Sequence, residues 1–173
     1  IRNTLIGSTA GDALTTGSYN TAIGYSSLGV SQDGTLNVAV GDNSLASNTT
    51  GASNVAVGQA ALGSNTTASN NTALGYLALN GNSTGVSNTA LGAYALDANT
   101  SASNNTAIGF GALGANTTGT QNVAVGSISL DANTTGNYNT AVGYETLTTN
   151  TTGAENTALG TSSMKQNTTG TYN

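Results

Sequence analysis

The sequence contains no Cys, His, Pro or Trp, and only two of its 173 residues are basic against seven acidic ones. The missing thiol and imidazole exclude cysteine and histidine catalysis, Cys/His zinc, haem and iron–sulfur ligation, and any disulfide framework. Two cations at a net charge of −5 make no electrostatic footprint for a phosphate backbone, so nucleic acid is not an expected partner. Aromatic residues are 5% of the chain, which leaves little for a conventional two-layer core. No stretch approaches the roughly 18 consecutive apolar residues of a spanning helix, and Ile1-Arg2-Asn3-Thr4 have no signal-peptide character. Gly, Asn, Ser and Thr together supply 97 residues. Disordered chains of such composition usually carry high net charge or many prolines, and neither is present here.

What the chain does have is a repeat. Asn recurs at 3, 20, 37, 54, 71, 88, 105, 122, 139, 156 and 173, every 17 residues without insertion. Numbering each unit from this Asn, units beginning at Asn3, Asn20, Asn37, Asn54, Asn71, Asn88, Asn105, Asn122, Asn139 and Asn156 make 1–173 a single repeat domain. Positions one to five read Asn-(Thr/Val)-Ala-(Ile/Val/Leu)-Gly, position nine is Leu from Leu28 to Leu147 and then Met164, and positions 12 to 15 are variants of NTTG. The first unit departs from this, with Leu5 for Ala and Gly11 for Leu, and the second carries Ser31-Gln32-Asp33-Gly34 in place of NTTG.

Seventeen residues rich in Gly, Asn, Thr and Ser are too short and too poor in helix formers for a helical hairpin repeat. They suit one turn of an all-β parallel β-solenoid, a β-roll of ten coils, each with two strands of about five residues. Stacked at the ~4.8 Å spacing of neighbouring strands, the coils build a rod about 48 Å long. Side-chain alternation puts positions two and four on one face of the strand and one, three and five on the other. The expectation is that position four and the Leu of position nine point inward. The Ala column of position three, from Ala22 to Ala158, then faces outward as an apolar stripe for other chains. Stacked Asn side chains are expected to bond amide to amide along a coil corner, and Gly at position five to supply a turn conformation closed to other residues.

Candidate chemistry is sparse. The carboxylates are Asp12, Asp33, Asp42, Asp97, Asp131, Glu145 and Glu155, with Asp12, Asp97 and Asp131 sharing position ten. Asp97 and Asp131 lie two coils apart, about 9–10 Å by strand spacing, a separation that suits an inverting acid/base pair but is too long for direct ligation of one ion by both. No cation, aromatic wall or third polar group accompanies them in the repeat. The Gly-Gly-x-Gly-x-Asp calcium motif and the Lys-bearing phosphate loop do not occur. Catalytic, cofactor-binding and metal residues are therefore expected to be none, and the chain not to be an enzyme. Tyr25, Tyr76, Phe110 and Tyr144 share position six while Tyr19, Tyr138 and Tyr172 share position 17; by position these rings skip coils and form no continuous platform. Adjacent Thr pairs such as Thr49-Thr50 and Thr134-Thr135 form rows along the rod, but neighbours in a strand face opposite ways. Ten N-x-Ser/Thr sequons arise, at Asn48, Asn65, Asn70, Asn82, Asn99, Asn104, Asn116, Asn133, Asn150 and Asn167.

The strings NTAIGYSSL at 20–28, NTALGYLAL at 71–79 and NTAVGYETL at 139–147 resemble the head repeats of trimeric autotransporter adhesins and the related repeats of phage tail-fibre and bacterial surface-fibre proteins. The resemblance covers all ten units; the 17-residue spacing with its NTTG corner is nearer the tail-fibre kind. It implies a left-handed parallel β-roll in a homotrimer, at a cell or virion surface, serving adhesion or attachment without catalysis, with self as partner and a host surface glycan or protein as receptor class. It implies no membrane insertion in this segment. Two other readings stand beside it: an ice-binding β-solenoid using its Thr rows, and a self-assembling surface filament. Because Asn173 opens an eleventh unit in phase, the rod is expected to continue, with receptor contacts confined to variable turn residues such as Tyr76, Tyr94 and Glu145.

Overall fold

The computed structural model describes residues 2–173. Each unit contributes one short strand at positions two to four, where Thr or Val and then Ile, Val or Leu favour extended backbone. The strands are β1 (Thr4–Ile6), β2 (Thr21–Ile23), β3 (Val38–Val40), β4 (Val55–Val57), β5 (Thr72–Leu74), β6 (Thr89–Leu91), β7 (Thr106–Ile108), β8 (Val123–Val125), β9 (Thr140–Val142) and β10 (Thr157–Leu159). They form one parallel ten-stranded sheet in sequence order, in register column by column, as in Ala39↔Ala56 and Val40↔Val57. The all-β parallel solenoid of 17-residue coils is thus present, with no helix among the described residues.

The expected second strand is replaced by turns. Positions seven, nine and 17 hold left-handed backbone in almost every coil, as at Ala60 (φ 56°), Leu62 (φ 51°) and Asn70 (φ 63°). A left-handed residue breaks an extended run, so the rest of the coil cannot be a ladder of strands. Hydrogen bonding between coils nevertheless continues there, through Tyr94 N–H to the Tyr76 carbonyl at 3.0 Å and Leu62 N–H to the Ala78 carbonyl at 3.0 Å. Gly at position five ends each strand as expected: at Gly58 φ is 132° and a Cβ would stand 2.4 Å from the Gly75 carbonyl oxygen of the next coil.

The two faces of the strand are the reverse of the expectation. Ala22, Ala39, Ala56, Ala73, Ala90, Ala107, Ala124 and Ala141 are fully buried inside the roll, whereas Leu74 and Leu91 at position four are 42% and 40% exposed. Alternation groups position one with position three, and the Asn at position one is itself buried; Ala follows it inward. The interior core is Ala at position three, mostly Ala or Ser at position eight, and the Leu of position nine, which is inside as expected.

Two buried Asn columns fill the remainder, in the interior and not merely at a corner. At position one, Asn54 donates Nδ2 to the Ala68 carbonyl at 2.9 Å, closing its own coil, and its Oδ1 accepts the Asn71 backbone N–H at 3.0 Å. The amide-to-amide ladder belongs chiefly to position 12: Asn65 Nδ2 donates to Asn48 Oδ1, Asn99 to Asn82, Asn116 to Asn99 and Asn133 to Asn116, at 2.8–3.0 Å. Each amide also donates to the position-15 carbonyl of its own coil, as Asn116 does to Gly119 at 2.9 Å. Such pairing lets a narrow interior bury amides without the cost of unpaired polar groups. The ladder ends at Ser31, whose Oγ is the one buried side-chain polar atom left without a partner among the described residues.

Candidate functional site

The turn at positions six to ten carries the side chains that differ from coil to coil, and the stacking register decides which of them meet. Tyr76 and Phe110 sit at position six of coils five and seven. Tyr94, at position seven of coil six, lies between them: its ring is 5.3 Å from Tyr76 and 5.8 Å from Phe110, edge-on to both at 87° and 78°. These rings, 44%, 37% and 56% exposed, form a continuous aromatic patch across three coils. Counting position six alone hides this cluster; the residue that bridges it stands one column over. Tyr94 takes φ 59°, as position seven does throughout, and this aims its ring toward its neighbours in the stack.

Beside the patch, Asp97 and Asp131 approach one another across Gly114. A Cβ on Gly114 would stand 3.0 Å from Asp131 Oδ1, 3.2 Å from the Gly111 carbonyl oxygen and 3.6 Å from Asp97 Oδ1. The side chains therefore close much of the two-coil gap that strand spacing alone suggests. Partial burial raises both carboxyls above the usual carboxylate range, and the charge of Asp131 adds to the rise at Asp97. Desolvation, then Tyr76 and Asp97, raise the Tyr94 phenol.

Glu145, the turn carboxylate expected to meet partners, is engaged within the chain. Lys165 Nζ lies 2.5 Å from its Oε2, which holds Glu145 below and Lys165 above their ordinary values. Arg2 lies over the Tyr19 ring at 5.8 Å. Asp12 lines a shallow depression of about 360 Å³ with Tyr25, and Tyr138 and Glu155 line another of about 520 Å³. No group of three or more potential metal-ligating side chains comes together among the described residues.

The sequons divide sharply. Asn48, Asn65, Asn82, Asn99, Asn116, Asn133 and Asn150 are fully buried in the ladder, and Asn167 is partly covered; Asn70 and Asn104 stand exposed at position 17. The Thr pairs divide too. Position-13 hydroxyls are taken up by carbonyls of the next coil, as Thr49 donates to Thr66 at 3.0 Å, while position-14 residues such as Thr50, Thr67 and Thr135 are exposed.

The strand face that points away from the interior is the longest uniform surface. Positions two and four carry only Thr, Val, Ile and Leu in all ten coils, with no charge anywhere. No known protein family, curated protein or solved structure matches the chain.

Proposed function

We propose that this chain is a structural shaft or head segment of an extracellular fibre, at a cell or virion surface, which is not catalytic and self-associates along its length. The observation that carries the reading is the outward strand face. Ten rungs of Thr or Val beside Ile, Val or Leu form an uncharged strip, roughly 48 Å by 10 Å by strand spacing and rise. A second copy presents the same strip at the same spacing, so the rungs of two chains match without adjustment, and a charge-free face offers no repulsion to them. Three chains meeting on a common axis, as the resemblance to trimeric autotransporter heads implies, each bury this face against two others. The Ala column does not serve this purpose, because it is used up inside the roll.

Sedimentation of the purified chain tests the proposal. A trimer is expected at micromolar concentration, and Leu74→Lys, Leu91→Lys and Ile108→Lys together should yield folded monomers. A wild-type chain that remains monomeric at those concentrations refutes the association.

The exposed Thr column at position 14 supports a second reading, binding to ice through regularly spaced hydroxyls. It is a single column, since the neighbouring hydroxyls are committed to the coil ladder. Thermal hysteresis of the purified chain separates the two: its presence favours ice binding, and its absence leaves the fibre.

A further inference from the structure

Gly29, Gly63 and Gly114 all stand at turn position ten, and what lies over each of them differs. Over Gly63, Asn80 of the following coil folds back and donates Nδ2 to the Ala60 carbonyl at 2.8 Å, so a Cβ on Gly63 would meet that amide at 2.7 Å. Over Gly114, Asp131 of the following coil comes within 3.0 Å of the same point. The residue in that place over Gly29 is Ala46, whose methyl group has no such reach. The three atoms nearest to a Cβ on Gly29 all belong to Ser26 of its own turn, at 3.1–3.6 Å, and no side chain of a neighbouring coil comes nearer. A depression of about 360 Å³ is therefore left open above Gly29, across coils one to three.

Its lining is mixed. Tyr25 and Val30, 56% and 48% exposed, supply apolar surface. Asp12 and Asn43 are exposed, and their side chains make no hydrogen bond or ion pair to the chain among the described residues. The Thr9 hydroxyl donates its only hydrogen to the Ser8 carbonyl at 2.7 Å, so in its 2.9 Å contact with Ser26 Oγ the serine is the donor. Ser26 Oγ is left with lone pairs that can accept. The depression thus offers carboxylate and hydroxyl acceptors, an amide that both donates and accepts, and one aromatic ring.

That combination selects its occupant. An anionic ligand meets Asp12 with no cation in the lining to offset it. A metal ion lacks ligands, since no group of three potential metal-ligating side chains forms among the described residues. A purely apolar ligand would desolvate Asp12 and Asn43 without replacing their hydrogen bonds to water. A pyranose meets every requirement: its hydroxyls donate to Asp12 and Ser26 and accept from Asn43, and its C–H face lies against a tyrosine ring. Ligand sites run from about 300 to 1,000 Å³, and a depression at the small end of that range suits one sugar unit. We infer that the depression over Gly29 binds a single neutral pyranose unit of a glycan, with Tyr25 against its apolar face and Asp12 and Asn43 on its hydroxyls.

This goes beyond the fibre reading and does not depend on it, because the depression uses turn positions six, seven, ten and eleven whereas self-association uses strand positions two and four.

The test is a titration of the whole chain, followed by nuclear magnetic resonance, with the methyl glycosides of glucose, galactose and mannose. Saturable shifts of the Ser26, Gly29 and Asn43 backbone amides with at least one of the three are expected, at a millimolar Kd for so small a ligand. Asp12→Asn, which keeps the shape and removes the charge, should weaken binding about tenfold. Ala46→Asn should abolish it, because the new amide takes over Gly29 the place that Asn80 takes over Gly63, with the Ser26 carbonyl as its acceptor. Tyr25→Ser, which puts at position six the residue that Ser8 and Ser127 already place there, should abolish it too. Spectra of the variants that keep the wild-type dispersion exclude unfolding as the cause. No saturable shift with any of the three glycosides, or a response that survives Ala46→Asn, overturns the inference. Choline shifting the same amides as strongly does so as well, and marks the depression as an organic-cation site.

Discussion

Replacing Asn116 by Ser tests the idea that buried amide columns, more than apolar burial, hold the coils together. The Asn116 amide donates to Asn99 Oδ1 at 3.0 Å and to the Gly119 carbonyl at 2.9 Å, and its Oδ1 accepts from Asn133 Nδ2 at 3.0 Å. Serine is too short to reach any of the three. Gly119 keeps its bond from Asn105 Nδ2 at 2.9 Å. Asn133 keeps the Gly136 carbonyl at 3.1 Å through one of its amide hydrogens, but the other loses its acceptor, and Asn99 Oδ1 loses its donor, both in fully buried sites. Three net hydrogen bonds at about 1 kcal/mol each, plus about 1–3 kcal/mol for unpaired buried groups, predict a loss of at least about 4 kcal/mol. The chain already contains the reverse experiment. Ser31 occupies position 12 of coil two with an unpartnered buried Oγ, and Ser31→Asn should let an amide donate to the Gly34 carbonyl while accepting from Asn48 Nδ2. Two regained bonds predict stabilisation by about 2 kcal/mol. Guanidinium unfolding followed by circular dichroism at fixed chain concentration measures both. A loss below about 0.5 kcal/mol for Asn116→Ser, the range of ordinary surface substitutions, would show that the ladder contributes nothing beyond filling space.

Three further outcomes can be measured. Ala90→Gln forces a long amide into the roll and should cost at least about 3 kcal/mol, whereas Leu91→Gln, one residue on and 40% exposed, should leave folding nearly unchanged while loosening self-association in sedimentation. Ala60→Gly relieves a left-handed alanine (φ 56°) and should raise stability by about 0.5–1 kcal/mol, read from the denaturation midpoint. The raised carboxyls of Asp97 and Asp131 mean that the folded chain holds more protons than the unfolded one just above the usual value of 3.8. Their contribution to stability therefore falls as pH rises from below that value through the raised folded values. Asp97→Asn with Asp131→Asn should flatten that fall and raise stability at neutral pH; an unchanged pH profile in chemical denaturation contradicts the assignment. Glu145 acts in the opposite sense, its small contribution being present above the unfolded value of 4.5 and lost as pH falls.

A strict 17-residue period with no insertion leaves equal-length coils stacked in register, and the sequence by itself determined that, along with the parallel sheet, the inward Leu of position nine and the turn glycine. It also determined the pairing of positions into faces. Period-two alternation says which residues share a side, because that is local backbone geometry, but it does not say which side is inside. Asn and Ala share one face, and Thr or Val with Ile or Leu the other; on hydrophobicity the second belongs within. Only the stack reverses the choice, since a position-one Asn amide becomes cheap to bury once the far side of its own coil supplies an acceptor and the backbone N–H of the next coil donates to its oxygen. The meeting of Tyr76, Tyr94 and Phe110, and of Asp97 with Asp131, was decided by tertiary structure alone. Side-chain reach across a coil that has glycine at both turn positions is a matter of three-dimensional space, which column counting does not measure.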